Sequence, residues 1–147
     1  HFLRKLRSRK NRQHNLVLAI IDRTTRLPIG AVGMHGIDEK NKLTEIGYWL
    51  AETYWGQGIM VEAAGLVLEY LFTVRKMQRV HARVWNRNEK SLRVVEKLGF
   101  VLEGRQRRHI KRNGRWMDVL LFGMLCEEWK HRIPSPKRTK KKTAGRR

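Results

Sequence analysis

The sequence predicts an α+β (mixed α/β) fold, with a central, mostly antiparallel sheet flanked by helices. Segments of alternating apolar and polar residues predict strands, and two regions with apolar residues three and four positions apart predict amphipathic helices. The pair Asn113-Gly114, between two long segments of strand-like sequence, predicts a β-hairpin. A length of 147 residues and a hydrophobic content of 41% suit a single domain with its own core.

Three strands are predicted in the N-terminal half, after a short basic helix over residues 1–14. The apolar run from Leu16 to Ile21 and the segment from Pro28 to Met34 are separated by a polar turn, which predicts a hairpin. Residues from Leu43 to Ala51 alternate well enough to form the third strand.

The C-terminal half is predicted to continue with a helix, a strand, a second helix and a closing hairpin. The first helix runs from Ile59 to about Arg75, and the strand from Arg79 to Trp85 alternates strictly. The second helix has N-cap candidates at Asn86 and Asn88 and ends at Gly99. The hairpin strands are Phe100 to Lys111 and Trp116 to Cys126.

Charge divides the chain into a central domain and two basic ends. The net charge is +20, and all 13 acidic residues lie within residues 15–129. Residues 1–14 hold six basic residues and residues 130–147 hold nine. We therefore expect a domain over residues 15–129 and a disordered basic tail over residues 130–147. Such ends could contact RNA or a ribosome through phosphates, or serve only for solubility.

The expected compartment follows from the single cysteine and the lack of targeting patterns. Cys126 excludes an intramolecular disulfide and a cysteine-rich zinc site, and its apolar neighbours predict a buried thiol. No apolar run approaches the roughly 18 residues of a membrane span, and the charged N-terminal end does not resemble a signal peptide. We expect a cytoplasmic protein without membrane contact. Because the chain begins at His1 rather than Met, we also expect it to be a fragment or a processed form from which an upstream element is missing.

The glycine-flanked turn before the first predicted helix is a candidate phosphate site. Gly56 and Gly58 let the backbone approach phosphate oxygens, and the amides of Gln57, Gly58, Ile59 and Met60 would lie at the positive end of the helix dipole. Gly-x-Gly also occurs in ordinary turns, and this one lacks the further residues of a dinucleotide motif or a P-loop. These residues alone leave a pyrophosphate site and a plain turn as equal alternatives.

Four segments together resemble the GNAT superfamily of acetyltransferases, in particular its RimJ/RimL-like branch. They are Glu45 to Leu50, Tyr54 to Ala63, Asn88 to Ser91 and Glu96 to Gly104. The resemblance spans about residues 16–126. It implies a GNAT-like fold that uses acetyl-CoA and no metal. In such a fold the sheet is splayed at the acetyl-CoA cleft, here between the strand ending near Leu50 and the strand from Arg79 to Trp85.

The resemblance also implies which residues contact acetyl-CoA. The turn from Gly56 to Met60 would hold the pyrophosphate, and the strand before it would pair with the pantetheine arm. Trp55 and Met60 replace the usual polar and small residues of the family pattern, as in a RimL-type variant. Asn88 can cap its helix and contact the cofactor at once. The ten expected contacts are Trp49, Leu50, Gly56, Gln57, Gly58, Ile59, Met60, Asn88, Ser91 and Lys97.

Catalytic roles are likewise implied by the resemblance. Glu45 occupies the strand position of a general base, acting directly or through water, although a structural carboxylate paired with arginine is an equal alternative. Asp118 is a reserve base. Ser91 or water must protonate the departing thiolate, because Val94 and Val95 stand where many relatives have a tyrosine.

Several other residues have simpler expected roles. His81 and His109 are expected at the surface rather than as bases. Trp49, Tyr54, Trp55 and Trp116 could shape an acceptor pocket, but tryptophans in a small domain are expected first of all in the core.

The function expected from these observations is acetyl transfer from acetyl-CoA to a primary amine. The RimL resemblance suggests the N-terminal α-amine of a protein, such as a ribosomal protein. The alternative is a basic nucleic-acid or ribosome-binding module whose CoA-binding fold has no catalytic activity. A monomer and a homodimer are both compatible with the sequence.

Overall fold

One mixed sheet of seven strands forms the centre of the protein in the computed structural model, which describes residues 2–6 and 14–130. The strand order is β1-β2-β3-β4-β5-β7-β6, and within the described residues only β4 and β5 pair in parallel. The elements are β1 (Phe2–Leu6), β2 (Leu16–Ile21), β3 (Pro28–Asp38), β4 (Leu43–Leu50), α1 (Ile59–Thr73), β5 (Arg79–Trp85), α2 (Glu89–Leu98), β6 (Val101–Arg112), β7 (Arg115–Leu125) and α3 (Cys126–Lys130), with a 3-10 helix at Glu52–Tyr54.

Most predicted elements are confirmed, including the mostly antiparallel sheet and both longer helices. The turn between β6 and β7 has positive φ at Asn113 (47°) and Gly114 (73°), as a two-residue hairpin turn with the right-handed strand twist requires. Gly99 adopts the left-handed conformation that ends α2. Cys126 is buried, as predicted, but it begins the short helix α3 and does not continue β7.

The predicted helix over residues 1–14 is wrong where the structure describes it. Residues 2–6 form strand β1, which pairs antiparallel with β2 from Phe2↔Ile21 to Leu6↔Val17. Pairing with a sheet edge satisfies the N–H and C=O groups of both strands, and this outweighs local helix propensity. Residues 7–13 lie outside the described residues, as does the predicted tail over residues 131–147. Lys130 itself is the last residue of α3.

The core lies between one face of the sheet and the helices α1 and α2. Leu68 and Leu71 of α1 are fully buried, together with Val80 of β5 and Val95 of α2. Burial of each such aliphatic side chain contributes about 1.5 to 3 kcal/mol. The opposite face of β4 and β5 carries polar residues such as Glu45. No helix in the described part of the chain is long and apolar enough to cross a membrane.

Strands β4 and β5 diverge soon after they begin, as the predicted splay requires. Their ladder contains three pairs, Leu43↔Arg79, Thr44↔Val80 and Glu45↔His81. Beyond Glu45, strand β4 continues in register with β3, and β5 continues in register with β7. A V-shaped gap therefore opens in the sheet towards the C-terminal ends of β4 and β5.

Candidate active site

A cleft of about 720 Å³ lies at the open end of this gap. Its walls come from the end of β4, the turn before α1, and α2. It is lined by Tyr48, Trp49, Leu50, Tyr54, Trp55, Gly56, Gly58, Ile59, Met60, Val61, Asn88, Lys90, Ser91, Arg93, Val94 and Lys97. A smaller cavity of about 230 Å³ lies between the diverging strands and shares Tyr48, Asn88 and Ser91 with the cleft. The two spaces therefore adjoin at these three residues.

The turn that precedes α1 exposes the start of the helix to the cleft. Gly56 and Gly58 have φ of +74° and +78°, a left-handed conformation that strains any residue with a Cβ, and a Cβ at either would meet open space. Gly58 is the N-cap, and no side chain caps α1. The first N–H groups of a helix have no partner within it and lie at the positive end of its dipole. This turn is therefore suited to bind an anion.

Three cations on α2 line the cleft across from that turn. Lys90, Arg93 and Lys97 follow one another at intervals of three and four residues, which places them on one face of the helix. The Nζ of Lys90 lies 3.5 Å from the ring centre of Trp55. The indole Nε1 of Trp55 in turn donates a hydrogen bond of 2.8 Å to the carbonyl of Leu50. The cleft thus combines apolar walls with positive charge at its mouth, which fits a molecule with an apolar arm and phosphates.

Asn88, Ser91 and Tyr48 form a hydrogen-bonded junction between the cleft and the smaller cavity. Asn88 Oδ1 accepts a 3.1 Å hydrogen bond from the backbone N–H of Ser91, so the predicted helix cap is confirmed. The Tyr48 hydroxyl donates to the carbonyl of Ser91 at 3.2 Å. Burial raises the pKa of this hydroxyl, so it stays protonated. Tyr48 was not predicted as a site residue, and its only signal was its place on the Ile46 face of β4.

Glu45 lies at the paired end of the gap, on the sheet face opposite the helices. Its carboxylate accepts a 3.0 Å hydrogen bond from Nε of Arg83 and lies 3.7 Å from Nε2 of His81. Arg83 lines the smaller cavity, whereas Glu45 lines neither space. Burial lowers the pKa of the half-buried His81, so its imidazole is neutral at pH 7. The arginine-paired carboxylate that the sequence left as an alternative is therefore present.

Nine of the ten predicted cofactor residues line the cleft, and Gln57 does not. The Gln57 side-chain amide instead donates to the carbonyl of Thr53 at 3.3 Å. The structure also brings in residues that were not predicted as cofactor contacts, notably Tyr48, Lys90 and Arg93. Lys90 and Arg93 are ordinary exposed cations in a sequence, and only the packing of α2 beside the turn identifies them.

Asp118, the predicted reserve base, lies in a separate ion pair. Its carboxylate accepts a 2.7 Å hydrogen bond from the backbone N–H of Arg108 and also pairs with the Arg105 guanidinium. These contacts lower its pKa, in that order of importance, and a lower pKa makes the carboxylate a weaker base. It lines none of the cavities described here.

The tryptophans differ from their expected place in the core. Trp49, Trp55 and Trp116 are 59%, 40% and 55% exposed, so none of these three belongs to the hydrophobic core. Trp49 and Trp55 line the cleft, while Trp116 lies on the β6-β7 hairpin. His109 is exposed, as predicted, and His81 is only half-buried.

Comparison with known proteins identifies relatives of this chain. Residues 1–101 match the model of an acetyltransferase (GNAT) domain. The chain is 36% identical over 111 residues to the uncharacterized N-acetyltransferase p20 of Bacillus licheniformis, covering 76% of this chain and 62% of that protein. It is 35% identical over 100 residues to the putative ribosomal N-acetyltransferase YdaF of Bacillus subtilis, covering 68% of this chain and 55% of that protein.

A solved structure shows the same fold. The ribosomal-protein-S5-alanine acetyltransferase of Vibrio fischeri superposes with a TM-score of 0.73 at 30% identity, covering 78% of this chain and 63% of that one. The chain thus spans roughly three-fifths of the length of the relatives it matches.

Proposed function

Because this chain belongs to the GNAT acetyltransferase family, we propose that it transfers the acetyl group of acetyl-CoA to a primary amine. The observation that carries this proposal is the divergence of β4 and β5 beyond Glu45, with the uncapped start of α1 at the mouth of the gap. An ordinary sheet would close this gap with a continuous ladder. Here the gap leaves a cleft lined both by apolar side chains and by the three cations of α2.

The residues present fit acetyl-CoA. The amides of Ile59 and Met60, at the start of α1, would bind the pyrophosphate. Lys90 and Arg93 would add charge-assisted hydrogen bonds to phosphate oxygens. When bound, acetyl-CoA supplies a thioester that is reactive towards an amine.

The chain's own residues would manage two protons in this reaction. The attacking amine must lose a proton, and we assign its removal to Glu45. Since Glu45 lines neither space, a water molecule would carry the proton to its carboxylate. The departing sulfur must gain a proton, and we assign this role to Ser91. Its position where the cleft and the smaller cavity meet supports the assignment. Tyr48 would hold Ser91 through the carbonyl of that residue.

The acceptor that we propose is the N-terminal α-amine of a protein. Two of the relatives described above support this acceptor by name: one is called a putative ribosomal N-acetyltransferase and the other a ribosomal-protein-S5-alanine acetyltransferase. An α-amine has an ordinary pKa near 8, so a modest base suffices to deprotonate it at neutral pH.

Acetylation of short peptides by the full chain tests this function. Release of free CoA thiol and the mass gain of the peptide would be measured together, with the same peptide carrying a blocked N-terminus as the control. We expect turnover of the free peptide only. Acetylation of neither peptide, or of both equally through a lysine, would contradict the proposal.

Two variants test the catalytic assignments. Ser91→Ala and Glu45→Gln are each expected to lower kcat by about 100-fold, the lower end of general acid or base effects, with little change in acetyl-CoA affinity. The pH dependence of kcat/KM shows which of Glu45 and its neighbour His81 is the base. If His81 were the base, His81→Gln would remove the acidic limb of kcat/KM and Glu45→Gln would only shift it.

The basic ends of the chain are proposed to add a second, electrostatic function. Nine basic residues in residues 130–147 would bind phosphates of RNA, with an affinity that falls steeply with salt. Deleting residues 131–147 should weaken binding to a short oligoribonucleotide and leave turnover of a small peptide unchanged. Loss of peptide turnover, with the fold intact by circular dichroism, would refute this separation of roles.

A further inference from the structure

A third cavity, of about 590 Å³, lies beside the β6-β7 turn and is lined by three arginines. We call it the arginine cavity. Its lining contains no acidic residue. The lining residues are Trp85, Arg87, Asn88, Arg112, Asn113, Arg115 and Met117.

Separate elements bring the three guanidinium groups to this place. Arg112 and Arg115 are paired across the β6-β7 turn. Arg87 comes from the other side, in the short connection between β5 and α2. The Arg112 guanidinium carbon lies 3.9 Å from the ring centre of Trp85, so the Trp85 ring holds this side chain in place.

The charge of the arginine cavity is not neutralised within the described residues. Arg87, Arg112 and Arg115 form no ion pair there. Asp118, the acidic residue of β7, already pairs with Arg105 and accepts a hydrogen bond from the backbone N–H of Arg108. Three like charges around one space repel each other, and an anion between them relieves this repulsion. Arginine is also the residue best suited to bind a carboxylate in two-point geometry.

The arginine cavity adjoins the proposed site of acetyl transfer. It shares Asn88 with the cleft, and it shares both Trp85 and Asn88 with the smaller cavity between the diverging strands. A group bound by these arginines is therefore next to the place where, in the proposed reaction, the acceptor amine would attack the thioester.

We propose that the arginine cavity binds a carboxylate of the acceptor, and that the chain therefore prefers peptides with acidic residues directly after the N-terminal residue. This inference rests on the proposed acetyltransferase function and names its acceptor class. An extended chain advances about 3.3 to 3.6 Å per residue, so a side chain at the second or third position lies within reach of a neighbouring cavity. The same charges disfavour polyamines and lysine-rich peptides.

Matched peptides test this specificity in the full chain. We would measure kcat/KM for three peptides that begin with Ser and differ at positions two and three, which are Glu-Glu, Gln-Gln or Lys-Lys. The wild type is expected to favour the Glu-Glu peptide over the Gln-Gln peptide by about tenfold, the effect of one charge-assisted hydrogen bond. Turnover of the Lys-Lys peptide should be lowest.

A charge-matched pair of variants assigns the effect to the cavity. The double variant Arg87→Gln/Arg115→Gln is expected to turn over the Glu-Glu and Gln-Gln peptides with similar kcat/KM. The control Arg23→Gln/Arg26→Gln removes the same charge at exposed positions between β2 and β3 and should keep the full preference. Because all four arginines are exposed, the variants should fold, and thermal unfolding would confirm this.

Each outcome decides between the proposals. Equal kcat/KM for the acidic and neutral peptides in the wild type would overturn the acceptor preference and leave the acetyltransferase function standing. A preference for the acidic peptide that persists in Arg87→Gln/Arg115→Gln would also overturn the role of the arginine cavity and leave the acetyltransferase function standing. Acetylation of none of the peptides would overturn the proposed function itself. If the double variant weakens binding of a short oligoribonucleotide and the peptides show no selectivity, the cavity binds nucleic-acid phosphates instead.

Discussion

The cleft and the arginine cavity are both positively charged, but they are built in different ways. In the cleft, backbone N–H groups at the start of α1 are presented by a turn that needs Gly56 and Gly58, and cations on α2 assist them. In the arginine cavity, exposed side chains provide all of the charge, two from the β6-β7 hairpin and one from the connection between β5 and α2. The cleft therefore depends on backbone conformation, whereas the arginine cavity depends on side chains that can change without disturbing the fold.

The two sites should respond differently to changes in sequence. Backbone N–H groups can bind an anion with any side-chain sequence that permits the turn conformation. They therefore suit the acetyl donor, which is always the same molecule. Side chains at a hairpin tip can be exchanged at little cost in stability, since surface substitutions are usually within about 0.5 kcal/mol. We therefore expect donor binding to be disrupted by changes in conformation and acceptor choice to be altered by changes in charge.

The largest effect on acetyl-CoA binding is expected from a Cβ at the glycine turn. Gly58→Ala should lower acetyl-CoA affinity by more than about tenfold, because it strains the turn by about 1 to 2 kcal/mol and adds a methyl group to a residue that lines the cleft. Gly36→Ala is the matched control, since Gly36 has φ of +56° and equally open surroundings outside the cleft. Equal loss of acetyl-CoA affinity in both variants, measured by calorimetry, would show that the turn acts only through stability.

A smaller effect is expected from the cations of α2. Lys90→Gln/Arg93→Gln should weaken acetyl-CoA binding by up to about tenfold through lost charge-assisted contacts with phosphates. Its acidic-peptide preference should be unchanged, in contrast to Arg87→Gln/Arg115→Gln. Calorimetry and the peptide assay would measure both properties. If the two double variants behave alike, the cleft and the arginine cavity are not separate binding sites.

Asn88 lies between the two regions and should show two separable roles. Asn88→Ala removes the N-cap of α2 and should lower the free energy of unfolding by about 1 kcal/mol, whereas Asn88→Ser should restore most of it. If Asn88 also contacts acetyl-CoA, both variants should bind it more weakly. Urea unfolding and calorimetry measure the two effects. Full recovery of both by serine would leave the cap as its sole role.

The smallest effect is expected at Asp118, which bonds to Arg105 and Arg108 where the register of β6 and β7 shifts. Its pKa is lowered from the ordinary 3.8 by the Arg108 N–H and the Arg105 guanidinium. A carboxylate whose folded-state pKa is lowered adds stability above its unfolded pKa, and this is lost as pH falls through the folded pKa. Asp118→Asn should therefore unfold more easily than the wild type at pH 7, and the gap should narrow below about pH 4. A gap independent of pH in urea unfolding would contradict this.

The sequence was sufficient to predict the elements that local chemistry specifies. Alternation predicted β5 to the residue, and Asn113-Gly114 predicted the hairpin turn with positive φ at both residues. The same holds for the cleft, where glycine spacing and family resemblance pointed to the turn from Gly56 to Met60. These features depend on neighbours in the chain, so a linear pattern contains them.

The sequence could not predict features that depend on tertiary neighbours. Residues 2–6 form a strand because β2 offers an edge to pair with, which no pattern within residues 2–6 reveals. Tyr48 reaches Ser91 across 43 positions of sequence, and Arg87 meets Arg112 and Arg115 only because β5 and β7 are neighbours. Glu45 was singled out by resemblance, but its pairing with Arg83 follows from the register of β4 and β5.

Calorimetric titration of acetyl-CoA into the full chain at about 0.2 M salt would show whether the cleft between β4 and β5 binds acetyl-CoA. ATP serves as the control, because a chain with a net charge of +20 attracts phosphates in general. We predict saturable binding of acetyl-CoA that is much tighter than that of ATP and is weakened by Gly58→Ala. Equal binding of the two molecules, unaffected by Gly58→Ala, would contradict this account and leave only a basic surface.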